Sequence, residues 1–269
     1  MLEFLNVGCG STFHPAWTNI DIAPQSPKIQ RYDIRKKLPY LDNCFDACYS
    51  SHVLEHLTKE EAKDLVSECL RVLKPAGVAR FVVPDLESIA RTYLDTLERV
   101  ESGIAEAEAD YDWMMLEMYD QTVRNYGGGE MYRYFSSPDI KNKDFVRYRI
   151  GLEAEIHQAS IWKKIKSKNA FWFLQKLRTL IAGSLVALTA GREAKRAFEE
   201  GIFRNSGEIH RWMYDRFSLQ RLLKKTGFVD VRICRADESR IPDFNSYNLD
   251  IIEDKIRKPD SLFIEGIKP

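Results

Sequence analysis

The sequence predicts an α/β fold built on a mostly parallel sheet, and three stretches carry that prediction. Phe4, Leu5 and Val7 form a short apolar run that breaks at Gly8, as a buried strand does where it delivers its backbone to a ligand. An amphipathic helix over Thr58–Leu73 is followed, after Pro75 and Gly77, by a second buried strand, Val78–Val83. The same helix-then-strand order returns near the end, with Ser218–Gly227 leading into Phe228–Cys234 and Ser261–Gly266.

The first strand ends in Gly8-Cys9-Gly10, where the two glycines lack a Cβ and let a ligand lie against the main chain. Thr18–Ile22 reads as a second strand ending near Asp21, eleven residues beyond Gly10. A dinucleotide-binding dehydrogenase needs a third glycine three residues after the second and an acid about twenty residues further on. Phe13 occupies the glycine position, so that reading is disfavoured. Asp21 at a strand tip can still accept from both hydroxyls of a ribose. Asp33 lies in the next loop, either in the same crevice or as a solvated turn residue. Residues 44–51 read as another buried strand.

The helix is marked by Thr58 as N-cap with Glu61 three residues on, and by an apolar face of Ala62, Leu65, Val66, Cys69, Leu70 and Leu73. Asp85 follows the Val78–Val83 strand at the carboxyl end of the sheet, where such folds bind ligands, and is a candidate for the mouth of the site.

The 269 residues suffice for one large domain with an insertion. With 40 basic and 40 acidic residues there is no global polycation to recruit nucleic acid. Cys9, Cys44, Cys48, Cys69 and Cys234 form no CxxC pair, which predicts free thiols in a reducing cytoplasm. The first residues carry no basic and apolar leader, so no export is expected.

Taken together, Leu5-Asn-Val-Gly-Cys-Gly10, Asn19-Ile-Asp-Ile22, Asp33-Ile-Arg35, Leu38-Pro-Tyr40, Asp42–Asp46, Ser51-His-Val-Leu-Glu-His-Leu57 and Arg71–Gly77 resemble the class I S-adenosylmethionine-dependent methyltransferases. The resemblance is to the methyltransferase type 11 group, in a branch associated with surface-polysaccharide biosynthesis, and it covers residues 2–85 and about 210–269. It implies a Rossmann-like sheet with an antiparallel last strand and a cofactor domain from residues 1–85 and 210–269. Gly8 and Gly10 would approach the methionine portion of the cofactor, with Asn6 where many relatives carry an acid and Ala76 in place of a glycine common before strand five. Asp21 would bind the ribose and Asp33 the adenine edge, with Cys9, Ile34, Leu38, Ser50 and Ser51 completing the cofactor site. The implied activity is O-methylation of a sugar or glycolipid hydroxyl. A small-metabolite methyltransferase and a non-catalytic module that keeps the fold remain alternatives.

His52-Val-Leu-Glu55-His56 has the spacing of an inverted zinc-protease motif. Its position after a strand among methyltransferase motifs accounts for it without a metal, and none is expected. His52 is a candidate general base beside the transferred methyl, His210 is its rival, and His56 reads as a structural histidine.

Residues 86–209 are helical in character and would form a substrate lid. Within them, Met114, Met115 and Met118 read as core filler, Asn125–Glu130 as a hinge, and Asp144–Lys166 as helix. Lys163, Lys164, Lys166 and Lys168 precede an aromatic and apolar stretch. Residues 162–190 are too interrupted to span a bilayer, which leaves a buried helix pair, a homodimer contact or docking at the inner face of a membrane. The expected partner is a small-molecule or glycan acceptor, with no nucleic acid.

Overall fold

The computed structural model describes residues 2–152 and 170–269. Nine strands can be named in chain order: β1 Phe4–Val7, β2 Thr18–Asp21, β3 Ile29–Arg31, β4 Phe45–Ser51, β5 Leu73–Pro84, β6 Val229–Cys234, β7 Ile251–Ile252, β8 Lys255–Ile256 and β9 Ser261–Ile267. All except the small β7–β8 hairpin join one seven-stranded sheet in the order β3-β2-β1-β4-β5-β9-β6. The first five are parallel, while β9 runs antiparallel between β5 and β6. This is the Rossmann-like class I methyltransferase sheet, with the antiparallel strand where the resemblance implied it.

The centre of the sheet is covered on both faces, and alternate side chains separate into two cores as strand periodicity requires. Leu5, Val7 and Cys48 face the core completed by α1 (Lys59–Val72), whereas Phe4, Ala47 and Tyr49 face Trp17, Phe244 and Phe263. Thr58 and Glu61 form the expected capping box, and Ala62, Leu65, Val66, Cys69 and Val72 are the buried stripe. The helix stops one residue early because Leu73 already pairs with Phe45, so β5 starts before Pro75 and runs for 12 residues.

Ala76 takes a left-handed φ of +63°, which a Cβ disfavours, and its N–H donates to Lys268 O at 2.9 Å. Ala76→Gly is expected to raise stability by about 1 kcal/mol, read as a shift of the urea midpoint at constant slope.

A buried ion cluster lies inside this apolar sheet. Arg80, on β5, is fully buried between Asp250 (Nε to Oδ2, 2.8 Å) and Glu265 (Nη1 to Oε1, 3.1 Å). Its remaining donors reach the carbonyls of Arg235, Ala236 and Glu238, and Tyr49 donates to Asp250 from the other side.

Between β5 and β6 the described residues form six helices: α2 Leu86–Glu101, α3 Ala107–Val123, α4 Gly129–Phe135, α5 Lys143–Ile150, α6 Ala170–Arg204 and α7 Arg216–Thr226. Helices α2, α3 and α5 share a core of Ile89, Trp113, Met114, Val146 and Ile150, with Met118 packed against it. Asp85 is the N-cap of α2, its carboxylate accepting from Glu87 N–H. The glycine run expected to be a hinge is a close-packed turn, in which a Cβ on Gly129 would meet the Asp120 carboxylate at 2.2 Å. Helix α6 breaks at Gly191. Leu177, Leu180, Ile181, Leu185 and Leu188 are each more than half exposed, so this apolar stretch is not buried within the chain. The lysines at 163–168, and the helix expected beyond residue 152, lie outside the described residues.

Candidate functional site: two cavities with a shared histidine wall

The first cavity, about 350 Å³, opens at the carboxyl ends of β1 and β2 and is lined by Gly8, Gly10, Asp21, Asp33, Ile34 and His52, among others. Gly8 and Gly10 have φ of +68° and +54°. A Cβ on Gly10 would project into open space, whereas one on Gly8 would strike Val53 Cγ2 at 2.5 Å. The turn is pinned from β2: Gly8 N–H donates to Ile20 O at 2.9 Å and Gly10 N–H to Asp21 Oδ2 at 2.8 Å. Asp21 Oδ1 accepts from Ala23 N–H, so each carboxylate oxygen keeps a lone-pair direction for a ligand hydroxyl.

Asp33 also lines this cavity, but Arg35 holds it bidentately through Nε and Nη2 at 2.9 and 2.8 Å. That hydrogen-bonded guanidinium keeps the Asp33 carboxyl below its ordinary range. An adenine amino group there would share the carboxylate with Arg35.

Five other residues expected in the cofactor site stand behind the cavity wall. Asn6 is buried beneath the glycine turn, donating to Thr12 O and Asn19 Oδ1. Cys9 is turned inward, its thiol pushed up to about 12 by burial. Leu38 packs in the α1-side core. Ser50 donates to Val7 O, and Ser51 Oγ accepts from Arg257. Strand alternation turns Asn6 and Ser50 inward, whereas Cys9 and Leu38 are drawn in by loop packing and Ser51 by Arg257.

The second cavity, about 230 Å³, lies between the sheet and the helices that follow β5. Trp113, Gln121, Arg124, Tyr132 and Phe135 contribute to its lining, as does His210. His52 and His56 line both cavities. His52 therefore stands between the two cavities, whereas His210 lines the second and not the first. His56 was not expected to face a ligand.

His52 adopts φ of +55°, a left-handed conformation that is costly for a side chain of this size and is typical of residues held for function. Its Nδ1 lies 3.1 Å from Glu55 Oε1 and its Nε2 2.9 Å from Ser261 Oγ. Burial pushes the imidazole well below its ordinary pKa, with Lys258 and Arg257 acting in the same direction. With its proton on Nδ1, toward the Glu55 carboxylate, the neutral ring has its lone pair on Nε2, where it accepts from the Ser261 hydroxyl. A carboxylate-oriented imidazole is the arrangement of a general base. Burial likewise lowers His56, to about 4, and His210.

Asn205, Ser206, Gly207 and Arg211 close the first cavity from the far end of the helical region. Local sequence carries no signal for them. They arrive because the N–H groups of Arg211 and Trp212 both donate to Glu55 O, at 2.6 and 3.2 Å.

Residues 5–81 match the methyltransferase domain family. This methyltransferase-domain segment contains the glycine turn, Asp21, Asp33 and the His52–His56 stretch. No curated protein matches the chain. Among solved structures, a SAM-dependent methyltransferase from Archaeoglobus fulgidus aligns over 99% of this chain and 86% of its own at 13% identity, with a TM-score of 0.40. The complex of the Haloferax volcanii Trm112 methyltransferase activator with a methyltransferase aligns over 100% and 84% at 10% identity and 0.40. The [4+2]-cyclase SpnF is 25% identical over 30% of this chain at 0.26, and this chain spans only 38% of its length. S-adenosylmethionine is the cofactor of the methyltransferase domain, and when bound it supplies an electrophilic methyl on a sulfonium. The open face of Gly10 and the lone pairs left on Asp21 fit it.

Proposed function

We propose that this chain transfers a methyl group from S-adenosylmethionine to a hydroxyl of a sugar or glycolipid. The supporting observation is that the glycine-turn cavity and the second cavity share His52 and His56, so a cofactor methyl and an acceptor oxygen can meet across one wall. Residues 1–85 and 210–269 would then form the cofactor domain, and 86–209 the acceptor-binding insertion.

Chemistry asks little of the protein beyond alignment and proton removal. S-adenosylmethionine held against Gly8, Gly10 and Asp21 would supply its methyl to the acceptor oxygen, the sulfonium sulfur leaving with the carbon–sulfur electron pair. His52 Nε2 takes the hydroxyl proton, and Glu55 stabilises the imidazolium through Nδ1. The second cavity is smaller than the ~300–1,000 Å³ sites that hold drug-sized ligands, which suits a single ring at the end of a larger acceptor. Aromatic faces beside Gln121 and Arg124 suit a sugar ring. The exposed apolar face of α6 supports a lipid-borne acceptor, reached from the inner surface of a membrane, although no described helix is long and apolar enough to cross one.

The test begins with calorimetric titration by S-adenosylmethionine and S-adenosylhomocysteine. Micromolar binding that Asp21→Ala weakens at least tenfold is expected, since the variant loses both the ligand acceptor and the charge-assisted hydrogen bond that pins Gly10 N–H. Transfer of labelled methyl to lipid-linked or nucleotide-linked sugars should then fall by about 10²-fold or more in His52→Asn, with cofactor affinity changed only a few-fold. Asparagine tolerates the left-handed backbone but removes the base. Absence of cofactor binding by folded protein would overturn the reading, and turnover indifferent to His52→Asn would remove His52 from it.

A further inference from the structure

Methyl transfer by a histidine base leaves His56 and His210 without a task, yet the fold takes trouble to bring them together. His56 follows a single 3-10 turn after β4, and His210 lies 154 residues later. Their rings meet edge to face with centroids 4.8 Å apart. Backbone hydrogen bonds hold both segments in place: His210 N–H donates to Gln121 O at 2.8 Å, while Arg211 and Trp212 donate to Glu55 O. His56 Nδ1 lies 3.1 Å from Ile209 O. A carbonyl accepts only, so Nδ1 bears the proton and Nε2 presents a lone pair, 4.0 Å from Glu55 Oε1. The Glu55 carboxylate is fully excluded from solvent. One donor atom from each of Glu55, His56 and His210 lies within 4.8 Å of the other two.

We infer that Glu55, His56 and His210 bind a divalent transition-metal ion of the zinc type, with an open position facing the second cavity. Two imidazoles and one carboxylate are the donor set of open catalytic zinc sites. Magnesium and calcium favour oxygen alone. Ligands at about 2.1 Å from a shared ion are about 3–3.5 Å from each other, so side-chain rotation must close a gap as wide as 4.8 Å by about 1.5 Å. Two supports that metal sites use are already built. A backbone carbonyl fixes the ligating tautomer of His56, and His52 Nδ1 stands 3.1 Å from Glu55 Oε1.

The position explains why the cluster sits in the acceptor wall. An ion there would hold an acceptor oxygen beside the His52 base and the cofactor cavity. That role rests on the methyl-transfer reading; the binding site itself does not.

The test uses full-length protein stripped with chelator and titrated with Co²⁺ or Zn²⁺ in the absence of S-adenosylmethionine. One equivalent of Co²⁺ should bind with the visible d–d bands of a low-symmetry nitrogen and oxygen site, and Zn²⁺ should displace it and raise the melting temperature. His56→Ala, His210→Ala and Glu55→Gln should each weaken binding by more than tenfold, whereas His14→Ala should not. No visible bands and no melting shift in the unsubstituted protein would overturn the site even if the variants fail to fold. Equal binding by folded variants, or Mg²⁺ binding as tightly as Zn²⁺, would also overturn it. A protein that bound Zn²⁺ here but no S-adenosylmethionine would leave the site standing and overturn the methyl-transfer reading alone.

Discussion

Arg80→Leu is expected to lower stability by about 3–5 kcal/mol, because it leaves the buried Asp250 carboxylate without its cation and leaves Glu265 to its outer partner, Arg240. Asp250 is 2% exposed and Glu265 fully buried, so neither can recover its hydration without opening the fold. For a chain of this size that loss corresponds to roughly 10 °C in melting temperature, measurable by calorimetry or by urea titration. Neutralising the partners should recover part of the loss, so the triple variant Arg80→Leu/Asp250→Asn/Glu265→Gln should melt above Arg80→Leu alone. A single variant within about 1 kcal/mol of the parent would show that the guanidinium contributes little net stability, as some buried ion pairs do.

Gly8→Ala is expected to abolish measurable cofactor binding while leaving the sheet folded. Two costs add at this position. The φ of +68° is unfavourable by about 1–2 kcal/mol for a residue with a Cβ, and the new methyl would stand 2.5 Å from Val53 Cγ2. Relief of the clash moves either the glycine turn or Val53, and both line the cofactor cavity. Adding Val53→Ala removes the steric cost but not the backbone cost, so the double variant should regain part of the affinity. Calorimetric titration with S-adenosylhomocysteine reads both. Gly8→Ala binding within threefold of the parent would mean that the cofactor does not rest on this turn.

Local chemistry explains which parts of this fold were legible in the sequence. The strand-to-glycine break, the Thr58 capping box and the Asp215–Gly227 helix with its left-handed glycine cap are each specified within a few residues. Gly8, Gly10, Asp21, Asp33, Ile34 and His52 were expected in one site and share one cavity. Leu38, Ser50 and Asn6 were placed beside them by motif order, but strand alternation and core packing turn them inward. Asp33 carried a readable signal in Arg35, since an acid and an arginine two residues apart in a loop can pair locally. Arg80 carried another: a lone charge in the apolar Val78–Val83 run must find buried partners, although nothing local says that they lie at 250 and 265. The meeting of Glu55 and His56 with His210, and the return of Asn205–Gly207 over the cofactor cavity, depend on long-range closure and had no local trace.

The insertion of β9 between β5 and β6 imposes an order of assembly. β6 pairs with β9 alone among the strands of the sheet, so it has no place to dock until the chain has continued through residue 261 and turned back. The cost of closing that loop falls before any of its contacts are made. Until then β5 presents an unpaired edge together with an unneutralised guanidinium, a combination that discourages the half-built sheet from settling into a stable wrong partner. The sheet is thus completed by the last of its own strands in chain order, which enters between two earlier ones.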